Sequence, residues 1–370
     1  MEDKRFPRRE LFRRAKLLGI AALLTRLPSS NEIIDPFDRL RGQVGDIRYL
    51  LDTVANSSFT KANQLTIAFR PGIKDTSQIN ISTTVRLYKV FNNFEDFQKA
   101  GGQVSWANGF TPDAITHNLK LRLLVSEKTE VVQRIRNFRG VLRFEKADGV
   151  DSTCRYEYEV SSPDIDNGKV LLTGFTHSPK YLREEIGENI PRPFIRLAYG
   201  SCQKYGNGLF GMLSYLSRRN PDLFVHLGDW FYELEPQYRL KMRNDLSGEG
   251  NDFQSYLDKI QQYNFDEAIQ ELERSVPMVV MMDDHNAENN FAGRGNLITK
   301  KLLDGFKAHV AAFASPDNAE MRGLQRRVDH ANGARSLFLD ARRFRDPELQ
   351  TMLGKDQLKW LISELLHAKK

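Results

Sequence analysis

Two short apolar runs separated by one helical segment constrain the fold of this chain more than any other feature. The runs span residues 195–199 and 223–227, and a helical apolar pattern lies between them near residues 209–216. Short continuous apolar runs are typical of parallel strands that are buried on both faces. A strand, a helix and a parallel strand form a βαβ unit with a right-handed crossover. We therefore predict an α/β fold for this part of the chain.

Chemically reactive side chains follow these two runs and a third apolar run at residues 276–282. They are Cys202, Asp229, Tyr232, Asp283, Asp284 and His285. In open α/β sheets, sites form just beyond the carboxyl ends of the strands. A thiolate, a phenolate, carboxylates and an imidazole together suit a transition metal, in particular ferric iron, whereas further carboxylate and amide oxygens suit calcium. The residues themselves thus predict a metal site at the sheet edge.

Several blocks of the sequence, in the right order, resemble the alkaline phosphatase D (PhoD-like) branch of the metallophosphoesterases. The first three are S-C-Q at 201–203, H-L-G-D-W-F-Y-E at 226–233 and M-D-D-H-N-A-E-N-N at 282–290. Two later blocks are L-F-L-D-A-R-R-F-R-D-P at 337–347 and L-G-K-D-Q-L-K-W-L at 353–361. The resemblance covers the chain from Arg196 to its end. It implies an α/β metallophosphoesterase-like sheet with flanking helices.

The resemblance also implies roles for individual residues. The implied metal ligands, for iron and calcium with other divalent metals as alternatives, are Cys202, Asp229, Tyr232, Asp283 and Asp284. The implied substrate-facing residues are His285, Arg342 and Asn290. Three alternatives stay open, because Asp283 could cap the strand end, Asn290 could serve the loop and Arg342 could be a structural ion-pair partner.

The implied activity is metal-dependent hydrolysis of phosphate monoesters or diesters, with a metal-activated water as nucleophile and His285 as the acid. Two departures from the family leave a second interpretation open. Asn286 replaces a glutamate of relatives, which we expect to remove a negative charge at the rim of the site. No Gly-Asp-x-His motif follows Asp340, whereas relatives continue with a strand that ends in this motif. The alternative is a truncated, weakly active or inactive relative that only binds metal or phosphate.

The preceding residues alternate in hydrophobicity and predict an antiparallel β-sandwich, which the resemblance implies to be immunoglobulin-like. Strands are predicted at 79–91, 119–126, 131–144, 155–160 and 170–175, with a further one around Leu65, Ile67 and Phe69. We therefore place a β-sandwich domain at 31–190 and a PhoD-like metallophosphatase domain, incomplete at its C-terminus, at 191–370.

Three helical patterns complete the second domain. Residues 251–275 are predicted to be mainly helical, and so are residues 300–313. The pattern at 357–367 predicts an amphipathic helix whose Leu358, Leu361, Ile362 and Leu365 face a core. A short buried strand is predicted at 336–340.

Residues 1–30 contain twin arginines, at 8–9 and 13–14, ahead of a short apolar run at 17–24. This pattern predicts a twin-arginine-like export signal, with a basic helix on a cytoplasmic protein as the alternative. Eight apolar residues are too few to cross a bilayer, and the rest of the sequence has no transmembrane segment. The net charge of +6 comes without an arginine block interleaved with aromatics, so nucleic-acid binding is not indicated. The predicted partner is a small-molecule phosphate ester, and the oligomeric state stays open.

Overall fold

The structure, a computed structural model, describes residues 53–61, 64–72, 78–103, 121–133, 139–151, 153–178, 195–207, 209–234, 247–264, 266–293, 299–313, 324–330 and 333–368. The predicted export signal at residues 1–30 lies outside these ranges and stays a prediction. Within them, no helix combines the length and the apolar character needed to span a membrane.

The first seven strands form two antiparallel sheets around one shared core. In chain order they are β1 (Val54–Lys61), β2 (Gln64–Arg70), β3 (Asn80–Val90), β4 (Arg122–Gln133), β5 (Gly140–Phe144), β6 (Arg155–Ser162) and β7 (Ile165–His177), with the short helix α1 (Phe94–Lys99) after β3. One sheet has the order β1-β2-β5 and the other β4-β3-β6-β7. Leu65, Ile67 and Phe69 are buried in the shared core, as their alternation predicts.

One part of the strand prediction is wrong. Separate strands are predicted at 119–126 and 131–144, of which 119–120 and 134–138 lie outside the described residues. β4 instead runs through residues 127–130 without a break and is followed by the separate strand β5. The charged stretch 127–130 pairs with β3 and lies on an edge strand. Edge strands tolerate charged side chains because one face and one edge meet water. The charges therefore indicate exposure rather than a turn.

The second half of the chain is an α/β arrangement, and the predicted βαβ unit is confirmed. It comprises β8 (Leu197–Gly200), α2 (Gly211–Arg219), β9 (Leu223–His226), α3 (Phe253–Tyr263), α4 (Glu267–Ser275) and β10 (Met278–Val280). The three strands are parallel, in the order β10-β9-β8. The single helical region predicted at 251–275 is two helices, because Asp266 caps a new helix by accepting a hydrogen bond from the backbone N–H of Ala268.

The remaining elements are α5 (Lys300–Ala312), the antiparallel pair β11 (Arg326–Asp329) and β12 (Arg335–Phe338), and α6 (Gly354–His367). The strands β1 and β2 contact α4 and α5, so the outer face of β2 is also covered. This explains why Thr66, Ala68 and Arg70 are as buried as their apolar neighbours.

The prediction that α6 faces a core with its leucine and isoleucine side chains is wrong in most positions. Leu358, Ile362 and Leu365 are 46%, 48% and 53% exposed, and Leu361 is half-buried. The helix is instead attached through buried Gln357, whose side chain exchanges two hydrogen bonds of 2.8 Å with the backbone of Asp340. An amphipathic pattern identifies the apolar side of a helix but does not determine which element covers it.

Candidate metal centre and active site

Three loops converge at the carboxyl edge of the parallel sheet, directly after β8, β9 and β10. Backbone hydrogen bonds tie the first two loops together, since Cys202 N donates to Gly228 O (3.1 Å) and Gln203 N donates to Asp229 O (3.2 Å). Gly228 has φ +129°, and a Cβ on it would lie 2.4 Å from Cβ of Asp283. A glycine is therefore needed for the second and third loops to approach this closely.

Asn286 connects the second and third loops through its side chain. Its Oδ1 accepts the backbone N–H of Asp229 (3.2 Å) and of Asp283 (3.0 Å), and the residue is fully buried. The expectation that position 286 lies at the rim of the site is therefore wrong, because Asn286 is buried beneath the loops. A buried amide here satisfies two backbone donors that would otherwise lack partners.

Two buried carboxylates and one imidazole form the centre of the site. Asp229 and Asp284 are 4% and 6% exposed, and potential ligand atoms of Asp229, Asp284 and His285 lie within 4.8 Å of one another. Burial raises the pKa of Asp229 to about 6; the nearby His285 opposes this shift, and the charges of Asp283 and Asp284 add to it. The carboxylates repel one another, so a cation bound between them would be stabilised.

Cys202 and Tyr232 extend this centre with a thiol and a phenol. The thiol of Cys202 donates to Oδ2 of Asp229 at 3.7 Å. Burial raises the pKa of Tyr232, and so do the charge of Asp229 and a side-chain hydrogen bond with Cys202. The structure thus places Cys202 in contact with both Asp229 and Tyr232.

The backbone of the site adopts an unusual conformation at its key residues. Cys202, Asp229 and Asn290 have φ values of +57°, +55° and +60°. For residues other than glycine, such a conformation costs about 1–3 kcal/mol and is concentrated at functional sites. The conformation is most unusual at Cys202, because aspartate and asparagine adopt it more readily than other residues with a side chain.

His285 is oriented by a carboxylate that sequence reasoning assigned no role. Its Nδ1 lies 2.7 Å from Oε2 of Glu233, whose other oxygen accepts the backbone N–H of Asn289 (2.7 Å). Burial alone would lower the pKa of His285, but the hydrogen bond and charge of Glu233, together with the charges of Asp229 and Asp284, outweigh it and raise the pKa. The only signal in the sequence for this partner is that the block at 226–233 ends in an acidic residue, Glu233 itself.

The two residues predicted to bind substrate differ in their placement. Arg342 forms ion pairs with Asp283 through Nε and with Asp284 through Nη2 (3.2 Å). Asn290 donates its backbone N–H to Oδ2 of Asp284 (2.6 Å), and its side chain is exposed. Arg342 is therefore at the site as an ion-pair partner, whereas Asn290 contacts it through its backbone.

The donor set fits a metal ion. Carboxylates, a thiol, a phenol and an imidazole can supply oxygen, sulfur and nitrogen ligands to a transition metal, and the carboxylates also suit calcium. Cys202 is exposed and no disulfide involves it, so its sulfur is available as a ligand. Burial raises the pKa of Asp229, and the charges of Asp283 and Asp284 add to this shift, as expected for clustered carboxylates.

Comparison with known proteins agrees with the family resemblance seen in the sequence. Residues 197–370 match the sequence profile of the PhoD-like phosphatase family. The chain is 26% identical over 301 residues to alkaline phosphatase D of Bacillus subtilis (strain 168), covering 71% of this chain and 51% of that protein. The solved structure of PhoD has a TM-score of 0.62 and 20% identity, covering 84% of this chain and 59% of that one, which shows the fold. The chain therefore spans between about half and three fifths of the length of these relatives. Residues 197–370 are therefore similar to the PhoD-like phosphatase family.

Proposed function

We propose that this protein hydrolyses phosphate esters at the carboxyl edge of the parallel sheet. The observation that carries the proposal is the cluster of Asp229, Asp284 and His285, whose ligand atoms lie within 4.8 Å of one another in a domain of a phosphatase family. In this assignment residues 191–370 are the catalytic domain. Residues 31–190 form an immunoglobulin-like domain, and the predicted signal at residues 1–30 directs export.

Five residues would hold the metal ions, for which iron and calcium are the proposed identities. They are Cys202, Asp229, Tyr232, Asp283 and Asp284. Bound cations would supply Lewis-acid chemistry, because they neutralise the charge with which a phosphate ester repels a nucleophile. Asp229 would offer its carboxylate oxygens to the metal ions; its Oδ2 accepts the thiol of Cys202, and its Oδ1 accepts the backbone N–H of His285.

His285 would supply the proton for the leaving oxygen. Glu233 binds Nδ1, which leaves Nε2 to face the substrate. The raised pKa keeps the imidazole protonated to higher pH than a free histidine, so the proton is available near neutral pH. Glu233 acts through His285 by fixing the orientation of its ring and stabilising its charge.

Arg342 would bind the phosphate group. Its guanidinium forms ion pairs with Asp283 and Asp284, which would themselves hold a cation. A planar guanidinium at this position can contact phosphate oxygens in a bidentate manner. Asn290 would contribute to the site through its backbone, which has a left-handed φ of +60° and donates its N–H to Asp284.

Hydrolysis of 4-nitrophenyl phosphate and bis(4-nitrophenyl) phosphate tests this function and separates monoesterase from diesterase activity. We expect hydrolysis that is lost on chelation and returns when iron and calcium are added together. Hydrolysis that survives both chelation and the substitution Asp229→Asn would overturn the proposal. Metal or phosphate binding without turnover would instead support the alternative, a relative that only binds.

A further inference from the structure

A buried lysine lies in the first of the three loops that form the candidate site. Lys204 is in the same loop as Cys202, and only 7% of it is exposed. Lysine is rarely buried to this degree, because removing an ammonium group from water is costly unless other groups stabilise its charge. The proposed hydrolysis assigns Lys204 no role, although the residue lies directly beside the site.

Backbone contacts fix the loop on both sides of Lys204. Gln203 N donates to Asp229 O (3.2 Å), which ties the residue before Lys204 to the second loop. Tyr205 N donates to the hydroxyl oxygen of Tyr263 (3.0 Å), which ties the residue after Lys204 to α3. The side chain of Lys204 therefore starts from a defined position between the second loop and α3.

The ammonium group of Lys204 lies over the ring of Tyr232. Its Nζ is 5.4 Å from the centre of the ring. A cation within about 6 Å of the centre of an aromatic ring is attracted by the electrons of the ring face, and the attraction is larger when the cation is desolvated. The contact with Tyr232 is therefore one of the interactions that stabilise the buried ammonium group.

The ring of Tyr232 connects Lys204 to the imidazole of His285. The centres of the tyrosine and histidine rings are 4.2 Å apart, with an angle of 37° between the ring planes. Glu233 contacts His285 at Nδ1 (2.7 Å), which fixes the position of one ring atom. Packing against Tyr232 also restricts the plane of the imidazole. Lys204, Tyr232 and His285 thus form one continuous set of contacts across the three loops.

The positive charge of Lys204 also acts on the electrons of the Tyr232 ring. Asp229, Asp284 and Cys202 surround this ring with acidic groups, whereas Lys204 places a cation over its face. A cation stabilises the electrons of the ring that it contacts. It therefore lowers the energy of the electrons that a tyrosine ligand shares with a metal ion, and this energy can be measured by absorption spectroscopy.

We propose that Lys204 is a positioning residue of the site, whose ammonium group holds the ring of Tyr232 and, through that ring, the imidazole of His285. This rests on the proposed function, in which Tyr232 binds metal and His285 supplies the proton. Lys204 acts through these two side chains and does not itself contact the substrate. Its loss should therefore lower the rate of the chemical step more than it weakens substrate binding.

Lys204→Met removes the charge but keeps a long unbranched side chain, and it tests the proposal in protein loaded with ferric iron. A tyrosine ligand to ferric iron gives a visible charge-transfer band. We expect this band to move to longer wavelength in Lys204→Met, because the electrons of the ring lose a stabilising charge. We expect kcat for 4-nitrophenyl phosphate to fall by about 10–100-fold with little change in KM, as when a partner of a metal ligand is lost.

Lys128→Met is the matched control. Nζ of Lys128 in β4 lies 5.2 Å from the centre of the Phe144 ring in β5, so this variant removes a cation over an aromatic ring in another part of the fold. Its band position and kcat should match those of the parent. Lys204→Gln serves if the methionine variant does not fold.

The outcomes separate this proposal from the proposed function. A folded Lys204→Met variant with the band position and kcat of the parent would overturn the proposal, even if its stability were lower, because Lys204 would then be only structural. A parent that hydrolyses phosphate esters but shows no band would also overturn it, since Tyr232 would not be a ligand, and would leave the proposed function standing. A band that moves in Lys204→Met, in protein that hydrolyses no phosphate ester, would support the placement of Lys204 over a metal ligand and contradict the proposed function.

Discussion

The edge of the parallel sheet and the core directly behind it both contain histidines, but in opposite electrostatic environments. At the edge, Glu233 lies 2.7 Å from His285 and raises its pKa. In the core, His226 and His309 are fully buried, and burial lowers the pKa of each to about 3. Burial acts to lower the pKa of the imidazole in both regions. At the edge, the carboxylates around His285 reverse this effect, which distinguishes a chemically useful imidazole from a structural one.

The core histidines are held by packing and one backbone contact. The ring of His226 lies edge-on to Trp230 at 4.9 Å, and Nε2 of His309 lies 2.9 Å from Val280 O. At the edge, by contrast, Cys202 and Asp229 are held in left-handed backbone conformations. Left-handed conformations thus occur where the site side chains meet, whereas His226 and His309 lie in a regular strand and a regular helix.

The largest expected effect is that of Asp229→Asn at the edge. We expect cation binding and hydrolysis to fall by at least about 100-fold, since changes in outer-shell partners alone cost 10–100-fold. The metal-free protein should be no less stable above pH 6. The folded-state pKa of Asp229 is raised to about 6, so its ionisation destabilises the fold as pH rises through that value.

Metal content tests the predicted loss of cation binding, and urea denaturation tests the predicted stability of the metal-free protein. Asp356→Asn, at an exposed position in the first turn of α6, is the matched control and should behave as the parent. Parent-like cation binding in Asp229→Asn would count against the site.

Glu233→Gln should have the next largest effect, because it removes the partner that gives His285 its raised pKa. We expect a loss of kcat of about 10–100-fold. The alkaline limb of the pH profile should move to lower pH, since the imidazole loses the charge that keeps it protonated.

Glu271→Gln is the control for that variant, because Glu271 hydrogen-bonds with Ser214 outside the site. Its pH profile should match that of the parent. An unmoved alkaline limb in Glu233→Gln would show that the His285–Glu233 pair does not set it.

His226→Phe tests the core side of the comparison. A histidine whose pKa falls from 6.5 to about 3 on folding destabilises the protein as pH falls below 6.5, by about 2 kcal/mol at pH 5. The phenylalanine variant should therefore lose about 2 kcal/mol less stability than the parent between pH 7 and pH 5, measured by urea denaturation.

His285→Asn should show the opposite sign. The raised pKa of His285 contributes stability that is fully present below pH 6.5 and is lost as pH rises through the folded-state pKa. The variant should therefore be more destabilised at pH 5 than at pH 8. If the stabilities of both variants, relative to the parent, changed in the same direction with pH, the comparison would be contradicted.

The smallest effect is expected for Leu358→Ala on the exposed face of α6. A side chain that is 46% exposed should change the free energy of unfolding by no more than about 0.5 kcal/mol. Leu257→Ala, at a fully buried position of α3, should cost about 2–5 kcal/mol. Equal losses in the two variants would mean that the outer face of α6 is covered in solution.

The edge of the sheet was largely predictable from sequence because its information is local. Each apolar run predicts a buried strand, and Cys202, Asp229 and Asp284 follow those runs directly. The rule that parallel strands end at one sheet edge then places them together. The left-handed conformations of Cys202 and Asp229 were not predictable, since neither is a glycine.

Contacts between distant side chains were not predictable in the same way. The Glu233–His285 pair joins residues 52 positions apart, and the buried role of Asn286 depends on the approach of Gly228 to Asp283. The predictions for the apolar face of α6 and for the charged middle of β4 are wrong for a related reason. A periodic pattern describes one element, whereas burial depends on what packs against it.

Crystals of the iron-loaded protein, with anomalous scattering measured at the iron edge, test the central claim most directly. That claim is that Cys202, Asp229 and Asp284 form a metal centre at the carboxyl edge of the parallel sheet. The account predicts an anomalous peak within coordination distance of at least Asp229 and one of the other two residues. A peak located elsewhere, in crystals of protein that hydrolyses phosphate esters, would contradict it.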